Sequence, residues 1–422
     1  AEFQGSSMGC GSSVLSRVQP QSTPDRPQPV GNFHKEFFLL KKLGKGASAS
    51  VYALKPVCGA NDADGLDLAV KILDLRPKPG EQDPDGLLGQ KYRSDVIKEI
   101  RVMKSIGRNE YCSVLLGAAL EESYAYLVME RASCTMLHHL ERKVSFTEVS
   151  CAHMFNQMLQ GMMHIHGRGV THRDIKLDNY LLFGSTARLC DFGLAGYSPD
   201  ADSLHMEGVN GTAPFMSPEM LARTAYGAKT DVWSFGVTCY VLLFGHFPYR
   251  PLEWSSRSMK AAILTGLPRP KFRPLRSATL VSDGARNFAQ HLLVRDPKLR
   301  PTAREAMDDA WLSEALSMPE EQEKQLPSLH SMLYGAKREG AFDVRQELIE
   351  KEWTPMDTEL SALQDAAHGD RSMFGRRVKS SEKLTGHHST RSTGTGGSRP
   401  KIECSGQSQS IGWLDHAAGA SS

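Results

Sequence analysis

The sequence predicts a globular domain of mixed strands and helices, and three observations support this class. The composition is that of a folded protein, with 40% hydrophobic and 23% charged residues in a chain of 422. Residues 37–43 (FFLLKKL) and 68–72 (LAVKI) are short apolar runs typical of strands. Residues 94–106 instead carry apolar side chains at helical spacing. Segments of both kinds continue to about Leu312, so one large unit dominates the chain.

The overall charge is nearly balanced, with 50 Lys and Arg against 48 Asp and Glu. No basic field covers the whole chain, so nucleic acid is not an expected partner. Every apolar run is shorter than the roughly 18 to 20 residues that a membrane-spanning helix needs. The eight cysteines are scattered without a CxxC pair or a secretory signal, a pattern typical of buried, reduced thiols in an intracellular protein.

Four short segments carry candidate chemistry. Residues 44–52 (GKGASASVY) place glycines after a strand, where backbone amides can approach phosphate oxygens, although a lone G-x-G also serves as a plain hairpin turn. Lys71 lies in the strand 68–72, and by itself it is best interpreted as an edge residue. Glu99 on the following helix could pair with it. Residues 172–179 (HRDIKLDN) and 191–193 (DFG) follow downstream.

Together these segments have the order and spacing of the eukaryotic protein kinase domain, which residues 37–312 resemble. The resemblance implies an α+β, two-lobed fold, with a small β-rich N-lobe over residues 37–130 that contains one main helix. A larger helical C-lobe is expected over residues 131–312. The implied reaction transfers the γ-phosphoryl group of ATP, with Mg²⁺, to hydroxyl groups of protein substrates.

The resemblance also implies a role for individual residues. Asp174 is expected to accept or orient the proton of the substrate hydroxyl, while Lys176 steadies the γ-phosphate. Lys71 is expected to hold the α- and β-phosphates and to be oriented by Glu99. The expected metal ligands are Asn179 and Asp191, and the expected nucleotide-binding residues are Leu43, Gly44, Gly46, Val51, Ala69, Lys71, the gatekeeper Met129 and Glu130, where the hinge begins.

The target hydroxyl is expected to belong to serine or threonine. Two residues are typical of serine/threonine kinases and not of tyrosine kinases. They are Lys176, two residues after Asp174, and Thr212 within residues 211–219 (GTAPFMSPE). Residues 238–249 look most like the calcium/calmodulin-dependent group. Glu219 is expected to pair with Arg300. Asp231 is expected to brace the catalytic loop, which is residues 172–179 (HRDIKLDN).

Two positions depart from the family pattern. Ala49 stands where a third glycine is usual, and Gly208 stands where an activating phosphate is usually carried. In such enzymes an anion neutralises the positive charge of the residue at the position of Arg173. We expect either that the Glu207 carboxylate is this anion or that Ser203, a few residues from the usual position, is phosphorylated. The disfavoured alternative is a membrane-tethered pseudokinase scaffold that binds nucleotide without efficient catalysis. It is disfavoured because Lys71, Glu99, Asp174, Asn179 and Asp191 are all present.

The N-terminal residues contain a candidate membrane anchor. Residues 8–13 (MGCGSS) fit the N-myristoylation pattern, with Gly9 as acceptor and Cys10 as a natural palmitoylation site. Two acyl chains hold a protein on a membrane where one binds marginally. The prediction requires translation to start at Met8. We therefore expect a cytoplasmic enzyme held peripherally on a membrane.

The two ends of the chain differ from the central unit. Residues 1–36 are rich in Ser, Pro, Gln and Gly and predict a flexible leader. Residues 313–369 contain twelve acidic against five basic residues, and we expect a solvated, partly helical extension there, with packing on the large lobe or its regulation as the alternative. Residues 370–422 are basic and then polar, and predict disorder. Lipid contact or nuclear import through the basic part are the alternatives to a plain solvated segment.

Calcium-binding loops accompany some kinases with this kind of N-terminus. Residues 61–65 (NDADG) imitate such a loop, but aligning Gly65 at loop position six puts Ala60 at position one and Lys71 at position twelve, where acidic ligands are needed. No segment of the tail fits better. Direct calcium binding is therefore not expected.

Overall fold

The computed structural model describes nine stretches of the chain: residues 33–46, 49–57, 67–78, 80–142, 146–197, 206–274, 281–319, 325–326 and 355–368. Several predictions fall outside these residues and stay predictions. They concern residues 1–32 of the leader with Gly9 and Cys10, Ser203, most of the extension 313–369, and the tail 370–422. The flexible leader predicted over residues 1–36 is wrong for its last four residues, which form a short helix because Phe33 and His34 are buried against the small lobe.

A five-stranded antiparallel sheet and one long helix form the small lobe. Its elements are α1 (Phe33–Glu36), β1 (Phe37–Lys45), β2 (Ala49–Pro56), β3 (Leu68–Asp74), α2 (Leu87–Ile106), β4 (Leu115–Leu120) and β5 (Tyr124–Glu130). The strand order is β1-β2-β3-β5-β4. Helix α2 begins before residue 94, because the Asp83 carboxylate accepts hydrogen bonds from the amides of Leu88 and Gly89 and so stabilises its first turn.

Alternate residues of the central strands divide between two faces of this sheet. Val70 and Ile72 are fully buried on the outer face, in a cluster that includes Tyr52. Ala69 and Lys71 alternate with them and therefore lie on the inner face. The inner face is packed against α2, whose buried residues join the core of the large lobe. The inner face thus borders the cleft between the lobes.

The large lobe is mainly helical. Its elements are β6 (Cys134–Thr135), α3 (Met136–Arg142), β7 (Phe146–Thr147), α4 (Glu148–His166), β8 (Val170–Thr171), β9 (Tyr180–Phe183), β10 (Thr186–Leu189), β11 (Gly196–Tyr197), α5 (Pro218–Leu221), α6 (Lys229–Phe244), α7 (Ser256–Thr265), α8 (Asp283–Leu292), α9 (Ala303–Met307) and α10 (Ala310–Leu316). Helix α6 is buried on every side, which explains its apolar sequence. None of the helices described is both long and apolar enough to cross a membrane.

A buried ion pair joins α5 to the segment before α9. The Arg300 guanidinium donates to both carboxylate oxygens of Glu219, at 2.7 and 3.0 Å, as predicted. Both side chains are almost fully buried, and the guanidinium lies over the Trp233 ring. Further hydrogen bonds to the carbonyls of Val294, Lys229 and Arg295 satisfy the remaining donors. A buried charge pair is tolerated where such additional bonds are made.

The tail after the large lobe is packed, which corrects the expectation of a solvated extension. Strand β12 (Gln325–Leu326) pairs with β7 of the large lobe. Helix α11 (Pro355–His368) lies on the outer face of the small-lobe sheet, where Leu360 and Gln364 are fully buried. The buried side of α11 includes polar residues, so an apolar pattern alone did not reveal it.

Cysteines in the described part of the chain are free thiols: Cys112, Cys134, Cys151, Cys190 and Cys239. Three of them, Cys112, Cys151 and Cys239, are buried in the hydrophobic core. Burial raises the pKa of Cys112 to about 12, so its thiol stays protonated at neutral pH. These residues behave as small apolar side chains, as the sequence indicated.

Stability is expected to fall in mild acid because of His34 in α1. Burial, with a smaller effect of His368, lowers the pKa of His34 to about 4. In the unfolded chain a histidine titrates near pH 6.5, so the unfolded state binds the proton first as pH falls through the interval from about 6.5 to 4. Above that interval His34 makes its full contribution to the free energy of unfolding. Because of His34, we expect the free energy of unfolding to fall by about 2 kcal/mol between pH 7 and pH 5.

Urea denaturation of the wild type and His34→Gln at both pH values measures this loss. The variant is expected to show a smaller difference between the two pH values, whatever its absolute stability. His291→Gln is the matched control, because His291 is exposed. An unchanged pH dependence in His34→Gln would contradict the assignment to His34.

Candidate active site

The carboxylate of Asp231 in α6 holds the backbone of the catalytic loop. This carboxylate accepts hydrogen bonds from the backbone amides of His172 and Arg173, both at 2.8 Å, and from Nε2 of His166 at 2.9 Å. Burial alone would raise the pKa of Asp231, but these donors lower it. Arg173 has φ 69°, which is uncommon for a residue other than glycine. The bonds to Asp231 hold this backbone conformation in place, so the bracing predicted for Asp231 is present.

Four donors orient the Asp174 carboxylate. Its Oδ1 accepts from the backbone amide and the hydroxyl of Thr212, at 3.0 and 2.8 Å. Its Oδ2 accepts from Nδ2 of Asn179 at 3.0 Å and lies 2.8 Å from Nζ of Lys176. The same Nζ donates to the Thr212 hydroxyl at 2.7 Å. Asp174, Lys176 and Thr212 therefore form one bonded group at the cleft.

The second part of the site connects the two lobes through Lys71. Its Nζ donates to Oε1 of Glu99 at 2.6 Å and to Oδ1 of Asp191 at 2.8 Å. Burial would lower the pKa of Lys71, but the two carboxylates raise it above its ordinary value. In turn the nearby Lys71 ammonium lowers the pKa of Asp191 to about 2. Lys71 and Asp191 are therefore both charged at neutral pH.

Asp191 and Asn179 could hold the predicted magnesium ions. Asn179 uses its amide nitrogen on Asp174, and no protein partner of its carbonyl oxygen is seen within the described residues. Asp191 has φ 62° and a solvent-accessible side chain at the cleft. No group of three or more His, Cys, Asp or Glu side chains suited to a metal occurs among the residues described. Mg²⁺ is a hard cation that can take its remaining oxygen ligands from phosphates and water, so two protein ligands, Asn179 and Asp191, are suited to it.

The predicted nucleotide-binding residues lie along the inner face of the sheet and at its edge. Val51 is paired with Lys71 in the β2–β3 ladder, and Ala69 is paired with Met129 in the β3–β5 ladder. Gly44 lies opposite Val51 where β1 turns into β2. The remaining residues of the prediction are Leu43, which is partly exposed, Gly46, whose amide donates to the Ala49 carbonyl, and Glu130, whose carboxylate pairs with Arg188.

Gly211 has a role that the sequence reasoning missed. It adopts φ +98°, and a Cβ there would overlap the carbonyl oxygen of Arg173 and lie 3.3 Å from Oδ1 of Asp174. Only glycine lets this segment approach the catalytic loop closely enough for Thr212 to bond Asp174. The feature of the sequence that could have indicated this steric role is the position of Gly211 directly before Thr212.

Gly211→Ala is expected to reduce the rate of phosphoryl transfer roughly tenfold or more, because displacing the catalytic group by an ångström has effects of this size. Gly184→Ala is the matched control. Gly184 also has positive φ, at +61°, but a Cβ added there would meet no atom within 4 Å. Both variants carry the backbone strain of about 1 kcal/mol, and only Gly211→Ala disturbs the catalytic loop. Steady-state kinetics with equal losses in both variants would contradict this steric role.

Glu207 is not seen in the role that the sequence suggested. The Arg173 guanidinium donates instead to the carbonyls of Leu194, at 2.6 Å, and Ala195, at 3.5 Å. Glu207 is exposed, and no ion pair joins it to Arg173 although both residues are described. The backbone carbonyls of Glu207 and Gly208 accept from the Tyr226 hydroxyl. Neutralisation of Arg173 by Glu207 is thus absent in this arrangement.

A cleft between a β-rich and a helical lobe, with charged groups arranged for phosphates and a hydroxyl, defines a phosphoryl-transfer enzyme. A family model described as the protein kinase domain matches residues 37–312. The chain belongs to this family. It is a serine/threonine protein kinase, and the family uses ATP and Mg²⁺.

Similar proteins support the same class. The chain is 29% identical over 295 residues to calcium/calmodulin-dependent protein kinase type 1 of Caenorhabditis briggsae, covering 68% of this chain and 75% of that protein. It is 31% identical to serine/threonine-protein kinase PLK4 of Danio rerio, covering 68% of this chain and 28% of the relative. It is 29% identical to serine/threonine-protein kinase shk2 of Schizosaccharomyces pombe, covering 66% and 45%. Large parts of the last two relatives therefore have no counterpart in the match.

Proposed function

We propose that this chain is a catalytically active kinase that phosphorylates serine and threonine residues of proteins while its N-terminus is held on a membrane. The observation that carries the catalytic part is the link from Glu99 through Lys71 to Asp191, with bonds of 2.6 and 2.8 Å. This link joins the small lobe to the metal-binding segment. The bonded group of Asp174, Lys176 and Thr212 beside it supplies a base for a hydroxyl, which a scaffold that only binds nucleotide does not need.

In the proposed reaction the charges of the cleft first position the triphosphate. Lys71 binds the α- and β-phosphates. Glu99 keeps the Lys71 ammonium directed into the cleft. Asn179 and Asp191 would hold Mg²⁺, which when bound neutralises negative charge on the phosphates. Positioning and charge neutralisation account for most of the rate in phosphoryl transfer.

The second group acts on the hydroxyl. The substrate oxygen forms a bond to the γ-phosphorus while the bond to the β–γ bridging oxygen breaks, releasing ADP. Asp174 orients the hydroxyl and takes up its proton, and Lys176 balances charge on the transferred phosphoryl group. The Thr212 hydroxyl bonds both side chains, which fixes their separation. This arrangement supports serine and threonine as acceptors.

The pseudokinase alternative is tested by measuring nucleotide binding and phosphoryl transfer separately. Wild-type protein is incubated with radiolabelled ATP, Mg²⁺ and a generic basic protein, and the product is hydrolysed for phosphoamino-acid analysis. We expect phosphoserine and phosphothreonine without phosphotyrosine. Nucleotide binding without incorporation would favour the scaffold, and phosphotyrosine would contradict the acceptor class.

The membrane part of the proposal rests on the sequence of residues 8–13 (MGCGSS). Dual acylation at Gly9 and Cys10 would supply the two chains that stable anchoring needs. Cells expressing the chain from Met8 are fed an alkyne analogue of myristate, and the wild type is compared with Gly9→Ala. We expect label and membrane recovery in the wild type alone. No label on wild-type protein would rule out this anchor.

A further inference from the structure

The outer face of the small-lobe sheet is covered by a helix from the far end of the chain. Leu360 of α11 is fully buried there against the aromatic cluster that contains Tyr52 and Tyr126. Gln364 is also fully buried, and its side-chain amide accepts from the Leu39 amide at 2.7 Å and donates to the Leu39 carbonyl at 3.4 Å. Gln364 thereby bonds the edge strand β1 as a neighbouring strand would.

Two acidic residues of α11 add specific polar contacts. Asp357, 1% exposed, accepts from Nζ of Lys42 at 2.8 and 3.0 Å and from the Tyr52 hydroxyl. Glu359 accepts from Nη1 of Arg76 at 2.8 and 2.9 Å and from the Tyr124 hydroxyl at 2.8 Å. Burying the Asp357 carboxylate without a partner would be costly, so its bonds to Lys42 and Tyr52 fix one register of the helix on the sheet. Each of the strands β1, β2 and β5 supplies a partner.

The contacted strands also carry the nucleotide-binding residues, on their opposite face. In β2, Tyr52 bonds the helix, and its neighbour Val51 borders the nucleotide cleft. In β1, Lys42 bonds the helix, and a register shift separates it from Gly44, so the usual alternation of faces is interrupted between these two residues. The helix therefore leaves the cleft open while it fixes the strands that form the cleft roof. The pairing of β12 with β7 attaches the same tail to the large lobe.

We propose that the outer face of the small-lobe sheet is a docking surface for an amphipathic helix, that residues 355–368 of the same chain are its occupant, and that docking raises the affinity for nucleotide. This inference rests on the proposed function. Docking restricts the motion of β1 and β2, so less ordering is required when the phosphates bind. Attachment through the chain gives the helix an effective concentration in the millimolar range, which keeps the surface occupied.

The test uses the full chain with Leu360→Asp, which places a carboxylate against the apolar cluster and releases the helix. We expect the Kd for a non-hydrolysable ATP analogue with Mg²⁺ to rise five- to tenfold and amide exchange in β1 and β2 to become faster. Leu363→Asp is the matched control, because Leu363 lies on the same helix and is 37% exposed. Gln364→Ala removes only the bonds to Leu39, and we expect a two- to threefold rise.

Rescue separates docking from general damage. A synthetic peptide of residues 355–368, added at millimolar concentration to the Leu360→Asp chain, is expected to restore the Kd, whereas the same peptide with Leu360→Asp is not. Unchanged affinity and exchange in Leu360→Asp, or equal effects in Leu363→Asp, would overturn the proposal. Nucleotide affinity is measured without phosphoryl transfer, so a wild type that binds ATP but does not phosphorylate would refute the proposed function alone.

Discussion

Asp174→Asn is expected to lower kcat by a factor of about 10² to 10⁴, the usual contribution of a positioned acid–base group. Asparagine keeps the shape of the side chain and can accept from the Thr212 amide, but it cannot take up the substrate proton. Asp174 makes no bond to Lys71 or Glu99, so we expect the Kd for ATP to change by less than about threefold. The loss should therefore appear in kcat.

Initial rates at saturating ATP, together with calorimetric titration of the ATP analogue, measure the two quantities. Asp85→Asn is a suitable control, because Asp85 is an exposed residue before α2 and far from the catalytic loop in the sequence. It should match the wild type in both assays. Equal phosphate incorporation by Asp174→Asn and the wild type would exclude Asp174-dependent catalysis.

Arg300→Met is expected to destabilise the protein by about 3 to 5 kcal/mol, because it leaves the Glu219 carboxylate buried without its partner. Methionine retains much of the packing against Trp233, so lost volume accounts for only part of the effect. At the size of this domain, such a loss corresponds to a fall in Tm of roughly 10 °C. Chemical denaturation and thermal unfolding followed by circular dichroism measure both values.

Two further variants identify the cause. The double variant Arg300→Met with Glu219→Met removes both charges and should recover much of the lost stability. Arg286→Met breaks the exposed pair with Asp283 and should change stability by less than about 1 kcal/mol. If the double variant is as unstable as Arg300→Met, the buried charge is not the cause.

The catalytic motifs could be predicted from the sequence because each is short and chemically distinctive. Lys71 and Glu99 pair as expected, and Glu219 pairs with Arg300. Gly211 was not predicted as a steric requirement, because the atom it must avoid belongs to Arg173, far back in the chain. A glycine of this kind is recognisable only once the two backbones are seen together.

The tail shows a different limit. The sequence predicts a solvated, partly helical extension because residues 313–369 contain twelve acidic against five basic residues. In the structure Asp357 and Gln364 belong to the buried side of α11, since Lys42, Tyr52 and the backbone of Leu39 provide partners on the sheet. Among the described residues, the large lobe, suggested as the alternative packing partner, holds the end of α10, where Ala315 is buried, and the two residues of β12. Hydrophobic patterning cannot detect an interface in which polar residues are matched in this way.

The contact between Leu39 and Gln364 spans 325 residues of sequence. The last strand of the small-lobe sheet ends at Glu130 and α11 ends at His368. A ribosome adds roughly 5 to 20 residues each second, so about 10 to 50 s pass after synthesis of the sheet before α11 can cover it. During this interval its aromatic outer face is open to solvent and to chaperones. Completion of the small lobe thus waits for the synthesis of α11, and a chain that terminates before Pro355 lacks this cover.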